Sequence, residues 1–227
     1  MKLSYLKNLL FKAIILSPFI ISPAGKMNAQ NAAIIKGGMN YSFLGVGFED
    51  GYGDRFAYNF ALTGIIKAAN NVVVTPEVGY SRRSLDLYTP DYINENYINS
   101  DVRLGLNYFD IATHVGYGGL FEAETNDTNS SNSLLVIYAG PQLSLLTGQD
   151  NRLLFDDNQI DIPEIDRIQD YIIGLNIGFS FGINNFYFDA RYSLPFNSFL
   201  QLDSYGDAFH TMSLNVGYII PIKSKNR

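Results

Sequence analysis

Cysteine is absent from the 227 residues, which excludes a disulfide framework, a thiolate metal site and the acylated cysteine of a lipoprotein together. Tryptophan is absent too, and charged residues make up only 17% of the chain, against roughly 25% in soluble domains. That is too little charge to wet the surface of an ordinary soluble fold. Beyond the first thirty residues no segment keeps the 3.6-residue period of an amphipathic helix. The one strongly apolar run near the start, 13–21, is too short to cross a bilayer as a helix, which needs about 20 residues. Basic residues are also few, 16 against 22 acidic, a poor balance for binding nucleic acid.

What is present begins with a leader-like segment. Lys2, Lys7 and Lys12 precede the apolar run, and a Ser/Pro/Gly stretch then leads to "MNAQNA", the order of parts in a secretory signal peptide. Residues 1–30 are expected to be removed, with cleavage near Ala29. A membrane anchor is the alternative. Loss of the leader removes four lysines and no acid, leaving 12 basic against 22 acidic residues, a net −10. The remaining 31–227 are the length of one domain, with no linker-like stretch inside.

Those residues alternate with period two almost throughout, the sign of two-faced strands. In 171–182, Tyr171, Ile173, Leu175, Ile177, Phe179 and Phe181 share one face, opposite Ile172, Gly174, Asn176, Gly178, Ser180 and Gly182. The same parity runs through Ile35, Met39, Tyr41 and Phe43, and through Phe56, Tyr58, Phe60 and Leu62. It continues through Val72, Val74, Pro76, Val78 and Tyr80, opposite Thr75, Glu77, Gly79, Ser81 and Arg83. Further strands are expected at 134–147, 186–195 and 211–220, with "GINN" as a tight turn at 182–185. In 97–121 the apolar parity slips after Tyr108, so either a β-bulge keeps one long strand or two strands meet at Asp110. One strand makes eight, and single-chain bacterial barrels favour even numbers.

The face opposite the apolar one carries Gly, Ser, Asn and Thr with scattered charge, not the Lys and Glu that coat a soluble barrel. The apolar face is broad and ends in Tyr and Phe, as lipid contact with aromatic girdles requires. The expected fold is therefore an all-β, eight-stranded antiparallel up-and-down transmembrane β-barrel, preceded by a signal peptide and exported to a bacterial-type outer membrane. Its lumen would receive Lys36, Glu77, Arg83, Arg103, His114, Asp189 and Arg191, where opposite charges can neutralise one another.

The stretches "TPEVGYSRR", "LNYFDIATHVGYG", "YAGPQLSLL", "DYIIGLNIGFSFGINN", "FDARYSLPF" and "SLNVGYIIPI" together resemble the successive strands of the PorT-like outer-membrane β-barrel proteins. The resemblance covers nearly all of 31–227 and supports a single long strand at 101–118. Ala112 stands where the family often has proline. It implies an eight-stranded outer-membrane barrel, and for some members an association with protein secretion across that membrane.

Functional constellations compete with plainer readings. The lumen charges could line a solute path, but eight strands enclose only enough room for side chains, so a structural salt-bridge network is expected. His114, or His210 with Ser213 and Asp207, invites the alternative of a small lipid-modifying enzyme. "HTMS" places His210 and Ser213 on opposite faces of a strand, so no catalytic site is expected. The carboxylates of 150–166 lack the glycine and terminal glutamate of an EF-hand and read as a solvated loop, so no metal or cofactor is expected. In the loop 87–99, Tyr88, Tyr92 and Tyr97 could contact sugar or peptide or simply extend the wall. The expected role is non-enzymatic, structural or interactive, with outer-membrane lipid around the barrel and a protein partner in the periplasm or at the cell surface.

Overall fold

A computed structural model describes residues 31–44, 52–69, 71–87, 101–123, 131–155, 158–165, 168–198 and 208–222. The leader, the tyrosine loop and Asp207 lie outside them. Among the described residues ten strands form: β1 (Asn31–Leu44), β2 (Tyr52–Ala69), β3 (Val72–Leu87), β4 (Asp101–Ala123), β5 (Ser131–Gln149), β6 (Asn151–Phe155), β7 (Asn158–Ile162), β8 (Tyr171–Ile183), β9 (Phe186–Pro195) and β10 (Phe209–Ile222). Each of β1–β5 and β8–β10 pairs antiparallel with its neighbour, β1 pairs with β10, and the eight close into a barrel. Closure leaves no unpaired edge in the wall, the condition for a sheet to lie in lipid.

The expected parity sets the two faces. Ile35, Met39, Phe60, Leu62, Val78, Ile137, Phe179, Leu214 and Val216 are all exposed on the outside, while Lys36, Asn40, Thr63, Glu77, Asn176 and Asp189 are buried within. At the turn end, Asn71 donates to the Tyr117 hydroxyl at 3.2 Å and Asn185 to that of Tyr218 at 2.9 Å. Those tyrosines sit where a girdle ring has an apolar body and a wet tip.

Prolines inside the wall break one ladder each and leave the register intact. Around Pro76 the pairs between Thr63↔Glu77 and Ile66↔Val74 are missing, because proline has no N–H to give to β2. Its other edge pairs normally with Thr113. Gly118, at φ 143°, lets β4 run close against β5, since a Cβ there would collide with the Leu135 carbonyl.

Several expectations need correction. Residues 101–123 are one strand, but it contains no parity slip: Val102, Leu104, Leu106 and Tyr108 point inward and are fully buried. The irregularity lies across the ladder, where Asn107↔Gly148 is followed by Tyr108↔Leu146 and leaves Thr147 as an extra residue in β5. The β4–β5 ladder also runs past the expected strand ends at 121 and 134, through Leu120↔Leu134 to Ala123↔Ser131. The supposed acidic loop is largely a β6–β7 hairpin, with β6 added to the start of β4 through Asp101↔Leu154 to Arg103↔Arg152.

Candidate functional site: the lumen and its loop end

The lumen is built in three layers. Nearest the short turns, Ala32, Ile34, Ile65, Val73, Leu134, Val136 and Ile219 form an apolar cluster with the rings of Tyr138 and Tyr187. At the opposite, loop end a second cluster joins Leu85, Val102, Leu104, Leu106, Tyr108, Ile172 and Phe209 to Ile165 and Ile168. The last two come from the segment after β7, which folds into the barrel mouth. The Thr147 bulge makes this fit, because it turns Gln149 inward. There Gln149 accepts from the Ile165 amide at 2.9 Å and donates to the Ile165 carbonyl at 3.2 Å. Both backbone groups of the inserted residue are thereby satisfied, as burial demands.

Between the clusters lies a polar layer. Lys36 Nζ is 2.8 Å from Glu77 and 3.2 Å from Asp189. Arg191 reaches Glu77 with two parallel bonds of 2.7 and 2.9 Å, the fork geometry that makes Arg–carboxylate pairs strong. Thr63 donates to Glu77 at 2.8 Å, Asn215 to Asp189 at 2.9 Å, and Tyr138 to Asp189 as well. Two cations thus face two carboxylates, and the oxygens' remaining lone pairs are used, the condition under which burying charge is tolerable. His114 lies beside them, with Thr75 at 3.3 Å on Nδ1 and Asn176 at 3.0 Å on Nε2. Nearer the mouth, Arg83 binds Asp110 at 3.3 Å and Ser144 at 2.8 Å. Its guanidinium lies 4.7 Å over the Tyr108 ring.

Six of the seven residues expected in the lumen are there: Lys36, Glu77, Asp189 and Arg191 as one cluster, His114 against it, and Arg83 in a second. Arg103 is not. It pairs across the ladder with Asp86, on the opposite face from Leu104 and Leu85, and bonds that carboxylate at 3.0 Å, as Arg55 does at 2.8 Å. A parity count from the buried Leu104 would have excluded it. Asp110 and Tyr138 belong to the layer and were missed, although Asp110 shares inward parity with His114 on the same strand. Gln149, Ile165 and Ile168 had no such signal.

The residues of the hydrolytic alternative are separated. Ser213 points inward and donates to Asn40 at 2.7 Å. His210 points outward, 2.6 Å from the Tyr192 hydroxyl and stacked on Phe43. In the acidic stretch, Asp150 pairs with Arg82, and Arg152 is 3.4 Å from Asp150 and 3.5 Å from Asp161. Among the described residues no group of three His, Asp or Glu side chains is placed to hold a metal ion.

A closed eight-stranded barrel with an apolar outside and a charge-compensated inside defines an integral outer-membrane β-barrel. The chain belongs to the outer membrane protein beta-barrel domain family, whose profile matches residues 28–201, and its place is the bacterial outer membrane. Solved structures resemble it distantly. Neisserial surface protein A (NspA) is 10% identical with a TM-score of 0.41, over 86% of this chain and 100% of that one. Ail, the attachment invasion locus protein of Yersinia pestis, is 16% identical with a TM-score of 0.39, over 84% and 99%. The N-terminal β-barrel domain of Pseudomonas aeruginosa OprF is 13% identical with a TM-score of 0.36, over 85% and 100%. No curated protein matches the sequence.

Proposed function

We propose that this is a non-enzymatic outer-membrane protein whose barrel is a scaffold and whose role, structural or interactive, is carried by the barrel ends. The observation that supports this best is the filled lumen: two apolar clusters cap a layer whose charges satisfy one another. Eight strands leave little more than side-chain room. The β6–β7 hairpin, in contrast, rises from the wall with the outer edge of β7 unpaired among the described residues, and long connections on rigid barrels are where binding usually sits. In this reading a signal peptide at 1–30 is removed on export, the short turns face the periplasm, and the hairpin faces outward. The resemblance to PorT-like proteins supports a partner connected with secretion. A lipid-modifying activity has weaker support, since neither histidine links a hydroxyl to a carboxylate by hydrogen bonds: the partners of His114 are Thr75 and Asn176, and that of His210 is Tyr192.

A photo-crosslinking residue at Ile160, whose side chain is exposed on β7, should give a discrete adduct in living cells, and one at the inward Ser180 should not. Replacing 151–162 with a four-residue turn should abolish complementation of a deletion strain while heat-modifiable mobility shows normal assembly. Full complementation by the trimmed barrel, with no adduct at Ile160, would overturn the loop-end reading.

A further inference from the structure

The two ion clusters do not touch, and what separates them is a cavity of about 30 Å³. Lys36, Glu77 and Arg191 line one side of it, Arg83 and Asp110 the other. Four buried polar atoms of its lining have no hydrogen-bond partner among the described residues: Ser81 Oγ, Arg83 Nε, Thr211 Oγ1 and Asn215 Oδ1. Their residues are each at most 5% exposed. They come from two strands, β3 and β10, which β2 and β1 separate in the wall, so local repacking of one loop could not satisfy them all. Orphaned buried polar atoms are rare, and a group of them around one space points to a ligand.

The chemistry of the lining selects the ligand. Arg83 Nε can only donate, Asn215 Oδ1 can only accept, and the two hydroxyls do either. A small anion would meet the Asn215 oxygen and the carboxylates of Glu77 and Asp110. A metal cation would meet the N–H of Arg83 and the ammonium of Lys36. The charged groups already match one another, so nothing calls for net charge. A neutral molecule that both donates and accepts fits, and a water site needs roughly 10–15 Å³ and two to four polar partners. We infer that this cavity is a binding site for two internal waters, which bridge Arg83 and Ser81 on β3 to Thr211 and Asn215 on β10. The bridge joins the two ion clusters into one hydrogen-bonded layer, wet at its centre and closed by apolar residues at both ends. It is independent of the loop-end role proposed above.

Water-edited solid-state NMR of the barrel in phospholipid bilayers tests this directly. Magnetisation from water should reach the Arg83 Nε–H much sooner than the backbone amides of Leu104 and Val136, in the apolar clusters. Equal, slow transfer would overturn the inference. A signal that moves when sodium chloride is exchanged for choline gluconate would also overturn it, because an ion would then occupy the site. Thr211→Val gives a second readout whose sign differs between the alternatives. If the hydroxyl holds water, the near-isosteric variant loses a bonded partner and its heat-modification temperature falls. If the cavity is dry, the variant removes an unsatisfied hydroxyl and the temperature rises. Should the variant not assemble, the water transfer in the parent protein decides alone.

Discussion

The inward face of β4 changes character halfway along the strand. Val102, Leu104, Leu106 and Tyr108 are apolar and fully buried at the loop end, while Asp110 and His114, on the same face, belong to the polar layer. One strand therefore serves two interiors. At the loop end the inside is organised like a soluble core, with Ile165 and Ile168 inserted from a following segment. In the middle it is organised by charge. The comparison teaches that a barrel of this size is held from within by two different forces, each replacing the water that a wider lumen would contain.

The two regions should respond differently to mutation. The largest effect is expected in the polar layer. Glu77→Gln leaves Lys36 and Arg191 with only Asp189 to share, and breaking one partner of a buried network costs about 3–5 kcal/mol. The temperature at which the folded band shifts on unheated gels should fall strongly. Replacing both Glu77 and Arg191 with methionine should cost less than Glu77→Gln alone, because no uncompensated charge remains. An additive double variant would show that the layer is not a charge network.

In the apolar mouth the effect should be smaller and local. Ile168→Ala removes a buried side chain at a site that can partly collapse, at about 2–3 kcal/mol. Proteolysis within 158–170 should accelerate before the barrel itself unfolds. Loss of barrel and segment together would mean that the mouth and the polar layer are a single unit.

The smallest effect belongs to the rim outside the apolar belt. The hydrogen bond from Arg82 holds the Asp150 carboxyl below the usual aspartate value of 3.8. A folded value below the unfolded one contributes stability that is present above about pH 4 and is lost as pH falls through the folded value. Exposed pairs of this kind contribute at most about 1 kcal/mol. Asp150→Asn should lower stability at neutral pH by at most about 1 kcal/mol and leave it unchanged in acid below the folded value, where the carboxyl is already protonated. A large change at neutral pH would place Asp150 among the structural charges.

How much of this could be read in advance depended on whether a residue's environment repeats with period two. Outward Phe60, Leu62, Phe179 and Leu214, and inward Lys36, Glu77 and Asp189, follow from alternation because lipid and lumen alternate along every strand. The same rule failed at Val102–Tyr108: apolar side chains were read as lipid-facing, which required a slip that does not exist. Periodicity reports which residues share a face and not which face is apolar when both sides are. Arg103 failed for the same reason, since alternation with apolar neighbours read as lipid-facing put it in the lumen, whereas those neighbours point inward. Ile165, Ile168 and Gln149 were illegible because their places depend on a one-residue bulge at Thr147 and on a segment with no repeat of its own.

The account rests on the lumen being closed along its length, and conductance of the purified barrel in a planar lipid bilayer measures that directly. With both apolar clusters and the charge network intact, the current should stay at baseline in molar potassium chloride, apart from brief irregular noise. Reproducible, ohmic single-channel steps from the fully assembled barrel would contradict a filled interior and return the solute path to the centre of its function.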